Sequence, residues 1–174
     1  MKDHAMADPQ GAQDALCRQK VLTEHPAHLI RRIYQIFLYC FDEAMAGLHL
    51  TPVTWILIAT ARNFPGLSVT ELARRAAVDK ASCGRTATML EKRGLLLIRK
   101  SEADGRQKLL ELTAAGMALA IAGEGRIELL RSLLLDQLDP DEGAQFVAQL
   151  MNYVQKSGKH TRSSIPDAAM PESG

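Results

Sequence analysis

The sequence predicts a mainly α-helical chain with one small β-hairpin, built as a helix-turn-helix followed by a basic hairpin, with long amphipathic helices on either side. Three observations predict it. Residues 68–112 hold two short helical patterns split by a tight turn, then two apolar strands around Asp104-Gly105-Arg106. Apolar residues recur at three- and four-residue spacing before and after that stretch. Hydrophobic residues are 47% of the 174 but aromatics only 5%, which suits an aliphatic, helical core.

Residues 1–10 carry no periodicity and read as disordered, and 11–23 read as a short helix with Leu16, Val21 and Leu22 as its apolar contacts. Pro26 stands at the first position of a long helix, where its missing N–H costs nothing. Leu29, Ile33, Ile36, Phe37, Cys40, Phe41 and Ala44 form the apolar stripe of that helix, which runs to about Ala46 and stops at Gly47. Thr51-Pro52 pairs a capping hydroxyl with a first-turn proline and opens a helix over 52–63. Trp55, Leu57, Ile58 and Ala61 make that helix apolar on more than one face, so it belongs at the centre. Pro65-Gly66 breaks the chain. Ser68-x-x-Glu71 is a capping box for a short helix over 69–76, and Asp79 caps the next, 80–93, which Gly94 ends.

Leu95–Arg99 and Gln107–Leu112 read as strands turned by Asp104-Gly105. Thr113 caps a long helix through about Leu138, interrupted by Gly123 and Gly125. Asp139-Pro140-x-Glu142 starts the last helix, 140–156, with Phe146, Val147, Leu150, Met151 and Val154 on one face. Residues 158–174, rich in Ser, Pro and Gly, read as a loose tail.

The net charge of +1 argues nothing alone, but its distribution does. Residues 74–108 hold ten basic side chains against four acids, a segment of +6, which leaves −5 for the remainder. A basic module inside an acidic chain is an electrostatic footprint for phosphate. No apolar run reaches the ~18 residues that span a bilayer, and the N-terminus lacks the apolar segment of a secretory signal, so a cytoplasmic protein is expected. Cys17, Cys40 and Cys83 form no CxxC pair and read as reduced thiols. No Gly-rich phosphate loop, nucleophile elbow or HExxH is present, so neither an enzyme nor a bound cofactor is expected. His25 and His28 lie near Glu24 with Pro26 between them, a poor metal arrangement, and no metal site is expected.

A helix enters the major groove when its exposed face is short, polar and free of bulky apolar groups. Lys80, Ala81, Ser82, Gly84, Arg85 and Thr86 meet that condition. Their hydroxyls can read base or phosphate, the arginine can pair with guanine, and the glycine lets the backbone come close. Met89 and Leu90, near the end, are expected to dock on the protein. Ser68 and Thr70 open the preceding helix, where backbone N–H groups can meet a phosphate. Arg106 is placed to reach the adjacent minor groove, and Asp104, a carboxylate repelled by phosphate, is assigned to orient it or another arginine.

These motifs together resemble the MarR family of winged helix-turn-helix transcription regulators. The matching residues are Leu50-Thr51-Pro52-x-x-Trp55, Ser68-Val69-Thr70-Glu71-Leu72-Ala73, Leu90-Glu91-Lys92-Arg93-Gly94-Leu95-Leu96, and Asp104-Gly105-Arg106 with Leu110-x-Leu112-Thr113-x-x-Gly116. The match covers about 29–155. His25-Pro26-Ala27-His28-Leu29-Ile30-Arg31-Arg32 is also similar to a branch that responds to aromatic acids or their coenzyme A thioesters. One departure is Gly105, where many members carry arginine.

The resemblance implies an N-terminal extension over 1–24, a MarR-type domain over 25–157 and a tail over 158–174. Within the domain it implies a winged helix at about 52–112, with dimerisation helices at about 25–47 and 113–157. It further implies a homodimeric repressor on a pseudo-palindromic operator, released by a small-molecule effector. The flanking helices agree, since they carry more apolar surface than a winged helix of about 60 residues can cover. An effector site is expected where those helices meet the DNA-binding lobe, lined by Phe37, Phe41, Trp55, Ile58 and Arg62, with Arg31 and Arg32 to hold an anion. The alternatives are core packing for the aromatics and surface ion pairing for the two arginines. A reading of another class is a thiol-based redox regulator using Cys17, Cys40 or Cys83, as some relatives carry a reactive cysteine near the first helix.

Overall fold

A computed structural model describes residues 20, 23–100 and 108–158. The chain divides into two compact units, Met1–Tyr39 and Cys40–Gly174. Helix α1, Pro26–Ala44, begins in the first. Over residues 26–39 the side chains of Leu29, Ile30, Ile33, Tyr34, Ile36 and Tyr39 are exposed, and the rings of Tyr34 and Phe37 lie 6.2 Å apart. Its last turn belongs to the second unit, where Cys40, Phe41 and Ala44 are buried. The helix stops two residues short of the expected Ala46, within the usual spread of helix ends, and Gly47 takes the left-handed φ of 81° that turns the chain.

Helix α2, Pro52–Asn63, is capped as expected: Thr51 Oγ1 accepts from the Thr54 amide at 3.1 Å. Its buried Leu57, Ile58 and Ala61 are central to the second unit. The two buried threonines are satisfied within the helix: Thr54 Oγ1 lies 2.7 Å from Thr51 Oγ1, and Thr60 Oγ1 donates to the Ile56 carbonyl at 2.7 Å. Around α2 pack α3, Val69–Arg75, and α4, Lys80–Lys92, with strands β1 (Leu67–Ser68), β2 (Leu96–Lys100) and β3 (Lys108–Leu112). Leu57, Ile58, Leu72, Leu90, Leu96 and Leu110 are fully buried together with Phe41. Each stabilises the fold by roughly 1.5–3 kcal/mol, enough to offset the backbone ordering of one residue of the same size.

The sheet is antiparallel in the order β1-β3-β2. Leu96 faces Leu112 and Lys100 faces Lys108 across the hairpin, while Leu67 and Ser68 face Leu110 and Leu109. Strand β1 was not expected. Two residues have no period to read, and its existence depends on the edge of β3 that the fold brings to it.

The long helix expected from Thr113 to about Leu138 is two helices, α5, Ala114–Glu124, and α6, Ile127–Leu135. The break falls at Gly125-Arg126, whereas Gly123 lies inside α5. A Cβ on Gly123 would run into the Trp55 ring, and one on Gly116 would run into the Leu95 carbonyl. Both glycines mark close packing and neither ends a helix. Arg126, just past the break, donates to the Ala44 carbonyl at 3.3 Å and so satisfies the open end of α1. Helix α7, Pro140–Ser157, starts at the expected Asp139-Pro140-x-Glu142, which forms a capping box with Glu142 Oε2 accepting from the Asp139 amide at 3.2 Å. Among the described residues no helix is long and apolar enough to cross a membrane.

Candidate nucleic-acid interface and adjoining cavity

The helix-turn-helix is built from local chemistry. Ser68 Oγ accepts from the Glu71 amide at 3.2 Å and opens α3. The second half of the expected capping box is diverted. The Glu71 carboxylate accepts from Arg74 at 2.5 and 2.9 Å and from Arg75 at 2.8 Å. Hydrogen bonding to Arg74 is the main cause that holds it down at about 2, with Arg75 adding to it against a partly opposing desolvation. Arg75 also lies over the exposed Phe64 ring at 4.1 Å. Helix α3 ends with Ala77 at a φ of 53°, its amide donating to the Arg74 carbonyl and that of Val78 to the Ala73 carbonyl. That is a left-handed helix stop of the Schellman type, made on alanine rather than glycine.

Asp79 then caps α4, with Oδ1 accepting from the Ser82 amide at 2.9 Å. The Ser82 hydroxyl, its amide and the charge of Arg85 all hold the Asp79 carboxyl below its ordinary value. Cys83, Ala87 and Leu90 bury one face of α4. The opposite face carries exposed Lys80, Ala81 and Arg85 beside half-buried Ser82, Gly84 and Thr86. Arg85 donates to Ser82 Oγ at 2.8 Å. A Cβ on Gly84 would meet only Val69 Cγ1, at 4.0 Å. The free protein therefore has room for a larger residue there. Met89 departs from expectation: it is exposed, close to Arg93, while Leu90 alone docks on the core.

Thr70, at the start of α3, is exposed, and Ser68 is half-buried in its cap. The hairpin continues the basic surface through exposed Arg99, Lys100 and Lys108, with Arg99 3.5 Å from Glu111. Asp104 and Arg106 lie outside the described residues, so their assigned roles are not placed.

Beside this module the second unit contains a cavity of about 400 Å³. Trp55 and Arg62 line it from α2, Ala120 and Glu124 from α5, and Ile127 and Glu128 from α6. Two of the expected effector residues, Trp55 and Arg62, are therefore on its wall. Phe41 and Ile58 are buried in the core and do not line it. Arg31, Arg32 and Phe37 belong to the first unit, where Arg31 donates to Gln35 Oε1 at 2.9 Å, Arg32 is exposed and Phe37 is half-buried. Sequence reasoning missed Glu124 and Glu128. The four-residue spacing of two acids near a glycine-marked break was a visible signal for them, but their approach to Arg62 was not.

Cys83 is fully buried, its Sγ donating to the Val69 carbonyl at 3.6 Å, and desolvation, aided by the charge of Asp79, pushes the thiol up to about 11. Cys40 is buried too, its Sγ donating to the Leu133 carbonyl at 3.5 Å. A reactive thiol needs a lowered pKa and access, and Cys83 has neither. Cys17 lies outside the described residues.

The sequence model of the MarR family matches residues 46–107. The HTH-type transcriptional repressor NicR of Pseudomonas putida is 30% identical over 98 residues, 56% of this chain and 62% of that protein, so the chain spans less than two thirds of that relative's length. The PcaV transcriptional regulator of Streptomyces coelicolor, in complex with its natural ligand, superposes with a TM-score of 0.70 at 26% identity, over 78% of this chain and 96% of that one. BpsR of Bordetella bronchiseptica, a structure concerned with regulation of DNA binding by 6-hydroxynicotinic acid, superposes with a TM-score of 0.69 at 26% identity, over 75% of this chain and 93% of that one.

Proposed function

We propose that the chain is a member of the MarR family, whose model matches residues 46–107, and that it works as a homodimeric, DNA-binding transcriptional repressor, released from a pseudo-palindromic operator by a small aromatic acid or its coenzyme A thioester. The observation that carries the DNA-binding part is the outer face of α4, where Lys80 and Arg85 flank small and hydroxylated residues behind an acid-capped start. Arginine and lysine supply phosphate and guanine contacts, and the small residues let the helix seat deeply in the major groove. Exposed Arg99, Lys100 and Lys108 extend the same charge along the hairpin, where the tip arginine, Arg106, would reach the minor groove.

The dimer part rests on apolar residues that the single chain leaves in solvent. Leu29, Ile30, Ile33, Tyr34, Ile36 and Tyr39 are exposed in the first unit, and Val147, Leu150, Met151, Tyr153 and Val154 on α7 in the second. Apolar surface on that scale calls for a protein partner, and a second copy of the chain gives the two-fold symmetry that a palindromic operator needs. The effector part is supported by the cavity at Trp55 and Arg62, an open cleft of about 400 Å³ with room for an aromatic ring.

The test is release. With the protein bound to a labelled duplex from upstream of its own gene, titration with single-ring aromatic acids and with their coenzyme A thioesters lowers the anisotropy to that of free DNA for at least one of them. Binding that no member of either class disturbs would leave a regulator without this kind of effector.

A further inference from the structure

This inference deepens the effector reading and rests on it. Trp55 is the single tryptophan of the chain, and its six-membered ring packs close to α5 at Gly123, where any Cβ would run into it. Trp55 and Arg62 both line the cavity, so a planar ring there can pack against the indole with a guanidinium on the same wall to meet a charge. That guanidinium is not vacant. Arg62 Nη1 donates to Glu124 Oε2, with Arg62 29% and Glu124 61% exposed. Glu128, on the same wall, is held by Arg131 at 2.7 Å. The protein has already placed a carboxylate where an acidic ligand would bind.

We propose that Glu124 is an internal competitor for the effector site, and that the ligand is a small planar aromatic carboxylate which takes Glu124's place on Arg62. The exchange swaps one carboxylate for another on the same guanidinium, so the cation stays paired; what it gives up is a partly exposed ion pair, and it sets the ligand's charge beside Glu124 and Glu128. Stacking on Trp55 and burial of the ring are gained, which a ring-free carboxylate such as acetate cannot supply. The exchange also has a structural consequence. Glu124 is the last residue of α5, directly before the break at Gly125-Arg126, and Arg62 lies in the last turn of α2, three residues before the Pro65-Gly66 turn that leads into β1 and α3. The ion pair ties the α5–α6 junction to the helix that leads into the helix-turn-helix. A ligand that binds only where this tie is open shifts the population toward the open state.

Trp55 emission reads the site directly. Benzoate, the isosteric but neutral benzamide, and acetate are titrated into the full chain and into Glu124→Gln, Glu124→Ala and Arg62→Gln at constant ionic strength. Benzoate is expected to quench Trp55 saturably, to bind both Glu124 variants about 2- to 5-fold more tightly than wild type, and to lose saturable binding in Arg62→Gln. Benzamide is expected to be indifferent to Glu124, and acetate to leave the emission unchanged. Benzoate binding that is unchanged or weaker in both Glu124 variants, or the absence of any saturable response in wild type and in both, would overturn the proposal. Duplex binding without ligand is measured on the same samples. The benzoate pattern without duplex binding refutes the regulator reading and upholds the exchange, and duplex binding without the pattern refutes the exchange alone.

Discussion

Glu71 serves Arg74 and Arg75 at once, and this gives the helix-turn-helix a pH dependence with a definite sign. Its carboxyl is held at about 2 in the folded chain against an ordinary value of 4.5. A depressed carboxyl contributes stability that is complete above the unfolded value and is lost as pH falls toward the folded one. The urea midpoint of wild type should therefore exceed that of Glu71→Gln at neutral pH, and the gap should close between pH 4.5 and about 2. A gap that stays constant down to the lower limit would show that the carboxylate charge is not what matters. Cys83 gives a second residue-scale prediction. With its thiol pushed up to about 11 and its side chain fully buried, it should stay unlabelled by maleimide at neutral pH in the native protein and react once denatured, as read by peptide mass mapping. Rapid native labelling of Cys83 would revive the thiol-sensor reading.

At the scale of elements, Gly84 separates folding from function. A glycine inside a helix costs about 0.5–1 kcal/mol relative to alanine, and here the neighbouring Val69 leaves room for a Cβ. Gly84→Ala should therefore raise the stability of the free protein by about that much while weakening its binding to operator DNA. Greater stability with unchanged affinity would mean that α4 does not bring its backbone close to DNA at this position. The elements also show what could be read from the residues. Thr51, Ser68, Asp79, Thr113 and Asp139 cap the helices they were expected to cap, because a cap is decided by residues within one turn. The second half of the Ser68 box was not legible: Glu71 could turn to its own amide end or to two arginines, and only the folded geometry chooses. Gly123 was misread for the same reason. A glycine that ends a helix and one that admits a tryptophan ring look alike in a sequence. The partner that distinguishes them, Trp55, is far away along the chain.

At the scale of the molecule, the apolar stripes of α1 and α7 were legible as stripes, yet their exposure in one chain was not, since periodicity reports a buried face without saying what buries it. If a second copy does, sedimentation velocity at micromolar concentration should show a dimer, and Leu150→Glu with Val154→Glu should yield monomers that retain helical circular dichroism. A monomeric wild type would remove the two-fold symmetry from the proposal. The cavity residues divide in the same way. Trp55 and Arg62 could be picked out as an aromatic and a cation on one helix, but Glu124 enters through packing of α5 on α2, which no local pattern encodes.

The central claim is that the basic helix-turn-helix and hairpin bind duplex DNA, and fluorescence anisotropy tests it most directly. Wild type and Arg106→Ala are titrated against DNA from upstream of the protein's own gene and against a random duplex, each at two salt concentrations. The account predicts tight binding to the upstream duplex that falls steeply with salt, as phosphate contacts require, and that weakens in the variant. Failure of wild type to bind either duplex at low salt would contradict it, and the charge of residues 74–108 would then belong to a protein-binding surface.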